Sequence, residues 1–535
     1  MMLKMKKVIS LILMIFLLCF VSSCHGKKVA KLEEFVMPET FDTSKTYHIS
    51  FWAKNDSNKL QQQIYNQAVE KFEKLYPNIK VEIVQYSDYG KIYSDVITNI
   101  STRTTPNICI TYPDYVATYL EGENIVVPLD DLMNSDKYGF SGTEVKYENV
   151  GQDNVIQKFL DECKINDKYY AVPFMRSSEA TYINKDYVER LGFEIPEILT
   201  WDFVWDVCKK AIEEKKEKQV LYPLIYKSTD NMFIQMAYQK NMPYVSNTGE
   251  VLLFNNQTDE LLKELFTYAK DGYFETFKRI SYPGNKFNKG ECIFAIDSTA
   301  GSTWIGANAP LQDHAPGEKI EFETVVKPVP QYDTSNPLMI SQGPSICIFN
   351  KKDSQEVLAS WLFAQYLLNE ETQMAYSKTE GYIPVIKSAL NNSEYQKYLK
   401  NGIDNDTDLY YVKIEATKLV LNNIDNTFVT PVFNGSSLVR KASGDLIEEI
   451  FNKRNKGALT EEDLKGIYNK LTSLYKLNNI GNGANENTEE DLGKLPTTSK
   501  ILLGSLIAVW IGLLTIIIVN VCKKKNSCFY FLNVR

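Results

Sequence analysis

The sequence predicts an α/β protein whose folded region is a doubly wound parallel sheet covered by helices, in two domains or lobes. Three observations lead to this prediction. Strand-like and helix-like apolar patterns alternate along residues 46–111. Of the 535 residues, 44% are hydrophobic and 12% are aromatic, which is enough for a large core and argues against a disordered chain. Residues 24–500, which lie between two apolar ends, are more than one ordinary core holds.

Each element of the alternation has its own signal. Residues 46–53 and 79–85 alternate apolar and polar side chains, as half-buried strands do. Residues 58–76 and 91–100 repeat apolar side chains at steps of three and four, which predicts helices. Residues 107–111 form a short apolar strand. In such a fold, ligands bind beyond the carboxyl ends of the strands.

The charge is unevenly distributed. The formal net charge is −8, but residues 1–23 and 501–535 hold seven basic residues and no acid, so residues 24–500 carry −15. A nucleic-acid-binding protein needs a basic face that displaces counterions. We therefore expect no nucleic-acid partner.

The N-terminus is typical of an export signal. Lysines precede an apolar run at residues 8–21, which is too short to span a bilayer. The following Val-Ser-Ser-Cys resembles the lipobox of bacterial lipoproteins. We predict a lipoprotein signal peptide at residues 1–23, lipidation of Cys24 and a tether at residues 24–44. An ordinary signal peptide with an incidental cysteine is the alternative.

The C-terminus predicts a transmembrane helix. Residues 501–521 carry no charge and are long enough to cross the hydrocarbon core. The lysines that follow place residues 522–535 in the cytoplasm. Residues 478–500 are polar, without an apolar period, and predict a flexible linker. The folded part, residues 45–477, would then lie outside the cell at the membrane.

Cysteine and histidine usage argues against several chemistries. Five cysteines fall in the folded part without a C-x-x-C spacing, and the whole chain has three histidines. We expect no metal site, no cofactor and no catalytic nucleophile. Cys109, Cys292 and Cys347 lie in apolar runs and are interpreted as small buried hydrophobic residues.

Three further segments resemble a known family. They are KYYAVPF with YINKDY and LTW at residues 168–205, FNKGECIFAIDSTAGSTW at residues 287–304, and the stretch ending in GYIPV at residues 343–385. In order and spacing they are similar to extracellular solute-binding proteins of carbohydrate ABC importers, family 1, of the maltose- and glycerol-phosphate-binding type. The usual Gly-containing turn is replaced by Asp-Ser-Thr at residues 297–299.

The resemblance implies a two-lobed, periplasmic-binding-protein-like fold of type II with three crossings between the lobes. We expect the crossings near residues 172–182, 295–304 and 341–345. Lobe one would hold residues 45–172 and 296–341, and lobe two residues 176–292 and 345–477. The ligand would lie between the lobes, which close on it about a hinge.

The resemblance also implies the ligand-binding residues. Sugars suit aromatic rings with planar polar neighbours. The candidates are Trp52, Asn55, Asp56, Tyr89, Tyr112 and Asp114 from lobe one, Arg176, Glu179, Ser298, Thr299, Gln342 and Gly343 from the crossings, and Asn231, Tyr382 and Arg440 from lobe two. Turn chemistry is the alternative for the loop residues, and a solvated charge at a helix end is the alternative for Arg440.

The function that the resemblance implies is capture of a sugar or sugar-like solute and its delivery to the subunits of an ABC permease, without enzymatic activity. Three alternatives stay open. The same fold could bind glycerol phosphate. A surface enzyme acting on glycans would need two carboxylates, one of them with a raised pKa. A sensor or adhesin would bind a ligand without supporting uptake.

Overall fold

The computed structural model describes residues 32–480 apart from 55–58, 149, 247, 307, 308, 310–320 and 402–406, together with 504, 505 and 510. The chain divides into two units, Met1–Gly481 and Asn482–Arg535, and the fold below is that of the first. The predicted signal peptide, Cys24 and nearly all of residues 501–521 lie outside the described residues. Within the described part, we find no helix with the length and apolar character needed to span a membrane.

The strands of this unit are short and spread along the chain. They are β1 Tyr47–Lys54, β2 Ile79–Tyr86, β3 Ile108–Thr111, β4 Lys164–Ile165, β5 Lys168–Tyr169, β6 Val172–Pro173, β7 Met175–Arg176, β8 Glu179–Asn184, β9 Tyr222–Tyr226, β10 Phe274–Thr276, β11 Cys292–Ser298, β12 Thr324–Pro328, β13 Met339–Ile340, β14 Ser345–Ile348, β15 Ile383–Pro384 and β16 Thr427–Phe428.

The helices lie between and after the strands. They are α1 Lys59–Leu75, α2 Tyr89–Thr102, α3 Pro113–Tyr119, α4 Asp130–Met133, α5 Gln157–Asp161, α6 Lys185–Arg190, α7 Trp201–Glu213, α8 Thr229–Gln239, α9 Asn256–Lys270, α10 Phe277–Ile280, α11 Pro283–Phe287, α12 Ser354–Tyr366, α13 Glu370–Ser377, α14 Lys387–Asn391, α15 Ser393–Asn401, α16 Thr407–Asn422, α17 Ser436–Lys453 and α18 Glu461–Tyr475. Short 3-10 turns lie at Gln152–Asn154, Thr299–Trp304, Ile424–Asn426 and Leu477–Asn479.

The first sheet has the order β2-β1-β3-β14-β6. β1 pairs in parallel with both β2 and β3, whereas β14 runs antiparallel to β3 and β6. The ring of Phe51 on β1 packs edge-on against Tyr65 of α1 at 5.3 Å and Phe363 of α12 at 5.5 Å. The predicted strand–helix alternation over residues 46–111 is therefore confirmed, and this sheet with its helices forms the first lobe.

The second sheet has the order β10-β9-β11-β8-β12. β9 pairs in parallel with β10 and β11, and β8 runs antiparallel to β11 and β12. Trp205 of α7 stacks on Tyr268 of α9 at 4.4 Å, and Phe274 of β10 meets Phe451 of α17 at 4.9 Å. This sheet and its helices form the second lobe, so the two-lobed α/β fold is as predicted.

The strand pairing corrects the predicted lobe boundaries. β12, within the range 296–341 that we assigned to lobe one, lies beside β8 in the second sheet. β14, within the range 345–477 that we assigned to lobe two, lies in the first sheet. Residues 295–304 are not a crossing, because the chain enters and leaves them within the second lobe. A strand's apolar pattern predicts that it is buried but does not identify its neighbours, and this is why the prediction was wrong.

Two crossing segments lie side by side between the sheets. The amide of Ser177 donates to the carbonyl of Gln342 at 2.8 Å, and the amide of Gln342 donates back to Ser177 at 2.9 Å. The left-handed φ of +132° at Gly343 lets the second segment pass close to the first, because a Cβ there would lie 2.3 Å from the Met175 carbonyl oxygen. These two crossing segments thus form a paired ribbon with no room for a larger residue at Gly343.

Candidate functional site

A cavity of about 360 Å³ opens between the two lobes. Its wall combines the start of α3 in the first lobe, the paired crossings, and β8, β11, α8 and α17 around the second lobe. The residues that line it are Tyr112, Pro113, Asp114, Tyr115, Glu162, Arg176, Glu179, Lys227, Ser228, Asp230, Asn231, Asp297, Ser298, Ile340, Ser341, Gln342, Gly343, Val429, Thr430, Val432, Ser437, Arg440 and Lys441.

Many of the predicted ligand-binding residues come together in this wall although they are far apart in sequence. Those that line the cavity are Tyr112, Asp114, Arg176, Glu179, Asn231, Ser298, Gln342, Gly343 and Arg440. Asn55 and Asp56 lie outside the described residues. That any of these side chains touches a solute stays a prediction.

Two aromatic candidates from the first lobe do not line the cavity. The ring of Trp52 packs against Tyr86 at 5.2 Å. The ring of Tyr89 is buried and packs against Tyr112 at 4.6 Å. Tyr89 therefore supports the ring of Tyr112, which does line the cavity.

The remaining candidates are also buried away from the cavity. The hydroxyl of Thr299 accepts a hydrogen bond from the Ser178 amide at 3.2 Å, next to the crossing. Tyr382 is 4% exposed, and its ring lies 5.9 Å from that of Tyr376. Thr299 therefore supports the crossing segment, and Tyr382 packs on α13.

Arg440 on α17 has acidic partners from both lobes. Its Nη2 lies 3.2 Å from a carboxylate oxygen of Asp230 and donates to the side-chain oxygen of Asn231. Its Nε lies 3.7 Å from Asp114, which belongs to the opposite lobe. The hydroxyl of Ser436 also donates to Asp114 at 3.0 Å. The alternative interpretation of Arg440 as a solvated charge is wrong, because the side chain is 21% exposed and bridges the lobes.

The carboxyl group of Glu179 lies at the bottom of this network. It is 1% exposed, and its two oxygens accept from the Tyr226 hydroxyl at 2.6 Å and from the Asn231 amide at 2.8 Å. Burial raises its pKa to about 8, since the charged form loses its hydration, and the hydrogen bonds from Tyr226 and Asn231 offset only part of that rise. Glu179 therefore keeps its proton at neutral pH.

Arg176 is held entirely by protein groups. Its Nε donates to Glu162 at 2.6 Å, and its Nη1 donates to the carbonyls of Met175 and Pro344 at 3.0 and 3.1 Å. Its Nη2 donates to the carbonyl of Phe159 at 3.0 Å. The side chain is 2% exposed. Arg176 thus ties the two crossing segments together, and it also lines the cavity.

Sequence reasoning missed one further ion pair in the wall. Lys227, just after β9, lies 2.7 Å from Asp297 at the end of β11. Burial raises the pKa of Asp297, and the neighbouring Lys227 opposes that rise. The signal available was the Asp-Ser-Thr sequence at residues 297–299, where the family has a Gly-containing turn, but nothing in the sequence paired it with Lys227.

Comparison with known proteins places the chain in a family. The profile of the bacterial extracellular solute-binding protein family matches residues 67–402. The chain is 21% identical over 425 residues to the arabinooligosaccharide-binding protein of Bacillus subtilis (strain 168), covering 77% of this chain and 89% of that protein. It is 23% identical over 359 residues to the sn-glycerol-3-phosphate-binding periplasmic protein UgpB of Rhizobium meliloti (strain 1021), covering 65% and 77%.

A solved structure shows the same fold. The crystal structure of UgpB from Mycobacterium tuberculosis in complex with glycerophosphocholine superposes with a TM-score of 0.62 at 18% identity, covering 80% of this chain and 98% of that one. The interlobe cavity, the two sheets and the family match agree with the predicted resemblance. The chain belongs to the bacterial extracellular solute-binding proteins.

Proposed function

We propose that this protein captures a neutral sugar or short oligosaccharide in the interlobe cavity and delivers it to an ABC permease. The observation that carries the proposal is the pairing of cations in the wall. Arg176 is paired with Glu162, Lys227 with Asp297, and Arg440 with Asp114 and Asp230. With these cations neutralised, the wall offers carboxylate, amide and hydroxyl groups that suit the hydroxyls of a sugar.

The size and the aromatic content of the cavity support the same ligand class. Small-molecule sites are usually roughly 300–1,000 Å³, and this one is at the lower end. The rings of Tyr112 and Tyr115 both line it and meet edge-to-face at 5.8 Å. The face of a tyrosine ring can cover the C–H face of a sugar, while neighbouring carboxylates accept hydrogen bonds from the sugar hydroxyls. The similarity to a protein named for arabinooligosaccharide binding agrees with this class.

Capture would proceed by closure of the lobes. The Asp114 contacts with Ser436 and Arg440 join the first lobe to α17 on the far side of the cavity. A solute that touches both walls stabilises the closed form over the open one by its difference in affinity for the two. The paired crossings at Ser177 and Gln342 are the natural hinge.

Binding without turnover is the proposed activity. Members of the family are binding proteins. A glycan-cleaving pair would need one carboxyl group free to give its proton to a leaving group. Glu179 has the raised pKa for that role, but both of its oxygens are engaged by Tyr226 and Asn231. It is therefore better suited to holding the wall than to proton transfer.

We further propose attachment to the membrane at both ends, with residues 45–477 outside the cell. The support comes from the sequence: the lipobox-like segment at Cys24 and the uncharged run at residues 501–521 followed by lysines. Phase separation of the cell extract in a cloud-point detergent tests this. Either Cys24→Ala or truncation after residue 500 should leave the protein in the detergent phase, and both changes together should move it to the aqueous phase.

The binding proposal is tested by thermal shift of the full-length protein in detergent. Arabino-oligosaccharides, malto-oligosaccharides and sn-glycerol 3-phosphate are added separately. A solute that binds the native state raises the unfolding free energy by RT ln(1 + [L]/Kd), or about 2.7 kcal/mol at a hundredfold excess over Kd. Tyr112→Ala should remove the shift, while the surface variant Lys470→Gln should keep it. A shift with glycerol phosphate and none with any sugar would contradict the proposed ligand class.

A further inference from the structure

We infer that Asp114 and Asp230 make the cavity selective against anionic solutes, because together they occupy the guanidinium group of Arg440. This inference rests on the proposed function of the cavity as a solute site and names what that site rejects. Arg440 is the cation of the wall that bridges both lobes, so its charge decides whether a phosphate or carboxylate can enter.

The geometry supplies one acid from each lobe. Asp230, near the start of α8, lies 3.2 Å from Nη2 of Arg440 within the second lobe. Asp114, in the first turn of α3, approaches Nε from the first lobe at 3.7 Å. The side chains of Asp230, Asp114 and Arg440 are 31%, 17% and 21% exposed, respectively. Water therefore screens the two ion pairs only partly. A phosphate that approached the guanidinium group would lie next to these two carboxylates and would be repelled by them.

Among the described residues, the rest of the wall gives an anion no cation that is both buried and unpaired. Lys227 is held by Asp297 at 2.7 Å, and the buried Arg176 is held by Glu162 at 2.6 Å. Lys441 lines the cavity but is exposed, and its ammonium group lies 5.8 Å from the ring of Tyr93. A solvated lysine contributes little to selective anion binding. When the cations of a wall are already paired with carboxylates, the wall gains selectivity by repelling an anionic solute, not by binding a neutral solute more tightly.

Isothermal titration of the full-length protein in detergent tests the inference, with sn-glycerol 3-phosphate as the anionic probe and glycerol as its uncharged match. The variants are wild type, Asp230→Asn, Asp114→Asn with Asp230→Asn, and this double variant with Arg440→Gln added. Asparagine keeps the shape of each side chain while removing its charge. We expect the double variant to bind glycerol phosphate at least about tenfold more tightly than the wild type. The added Arg440→Gln should abolish the gain, and glycerol, which carries no charge, should show no tenfold gain in any of the variants.

Two results would overturn the inference: wild type that binds glycerol phosphate as tightly as the double variant, or a gain that survives the loss of Arg440. A double variant that has the far-UV circular dichroism of the wild type and gains nothing would also overturn it. If the double variant does not fold, Asp230→Asn, with and without Arg440→Gln, gives the same decision. Titration of the wild type with sugars runs in parallel. If no sugar binds, the proposed function is contradicted, and the effect of the two aspartates on glycerol phosphate binding can still be measured.

Discussion

Single residues in the cavity wall have environments that differ sharply over a few ångströms. Glu179 is buried among neutral hydrogen-bond donors and keeps its proton, whereas Arg440 is surrounded by carboxylates and keeps its charge. Burial lowers the pKa of Arg440, but the acidic groups around it, first Asp230 and then Asp114, together raise it on balance. Asn231 connects the two, donating to Glu179 and accepting from Arg440. Its one amide therefore serves both a neutral acid and a cation.

The raised pKa of Glu179 predicts a pH dependence of stability. The folded group has a pKa of about 8 against an ordinary value of 4.5, so between these values the folded state holds a proton that the unfolded state has lost. Stability should fall as pH rises through this window, by at most about 1.4 kcal/mol per pH unit. Glu179→Gln should lack this slope in urea unfolding between pH 5 and 8. The control Glu371→Gln, at a site 68% exposed, should keep it. Parallel slopes for wild type and Glu179→Gln would show that Glu179 is ionised.

The buried pair of Arg176 and Glu162 predicts a large loss on truncation. Arg176→Gln leaves Glu162 as a buried carboxylate without its cation and should lower the free energy of unfolding by about 3–5 kcal/mol. Lys470→Gln, which breaks the exposed pair with Glu449 at 2.8 Å, should cost less than about 1 kcal/mol. Both are read from urea unfolding at pH 7. Equal losses for the two variants would mean that Arg176 is replaceable at the crossing.

At the scale of elements, the crossing ribbon is set by backbone conformation more than by side-chain packing. The pairing of Ser177 with Gln342 needs the chain to turn at Gly343, where φ is positive and the Met175 carbonyl lies within 2.3 Å of a Cβ position. By contrast, Gly466 in α18 has no atom within 4 Å of its Cβ position and an ordinary φ. The same residue type is therefore required at one element and replaceable at the other.

Alanine substitutions at these two glycines should have opposite effects. Gly343→Ala should destabilise the protein by more than about 1 kcal/mol, because it meets both a close contact and an unfavourable φ. Gly466→Ala should stabilise it by about 0.5–1 kcal/mol, since alanine has less conformational entropy to lose in a helix. Thermal unfolding of the full-length protein measures both. A harmless Gly343→Ala would show that the two crossing segments can separate without cost.

At the scale of the whole molecule, the two lobes are joined on both sides of the cavity. The crossings at Ser177 and Gln342 lie on one side, and the contacts of Asp114 with Ser436 and Arg440 lie on the other. The first set is backbone and permanent, whereas the second is made of side chains that can part. This asymmetry suits a hinge at the crossings and a releasable contact opposite it. We call the contacts of Asp114 with Ser436 and Arg440 the latch.

Weakening the side-chain contacts should open the molecule. Asp114→Asn removes the ion pair with Arg440, which is worth about 1 kcal/mol at partial exposure, and should increase the radius of gyration measured by small-angle X-ray scattering. Lys278→Gln breaks a pair with Asp445 at 2.7 Å that lies within the second lobe, so it should leave the radius unchanged. Saturating sugar should return the Asp114→Asn protein to the compact form. An identical radius for all three proteins would argue against the latch.

The sequence by itself determined the local elements, the family and the acidic character of the folded part. The period of apolar residues fixed β1, α1, β2, α2 and β3, because each needs only its own residues to define a buried face. The motifs around Tyr382 and Trp205 were sufficient for the family, which the match over residues 67–402 supports.

Only the tertiary structure decided how distant segments pair. That β12 joins the second sheet and β14 the first depends on strand neighbours that no local period records. The partners of Arg440 are Asp114 and Asp230, which lie hundreds of residues earlier in the chain. Lys227, just after β9, pairs with Asp297 on the neighbouring strand β11. Sequence shows which side chains can carry charge. The fold decides which charges neutralise each other, because that depends on distance and burial.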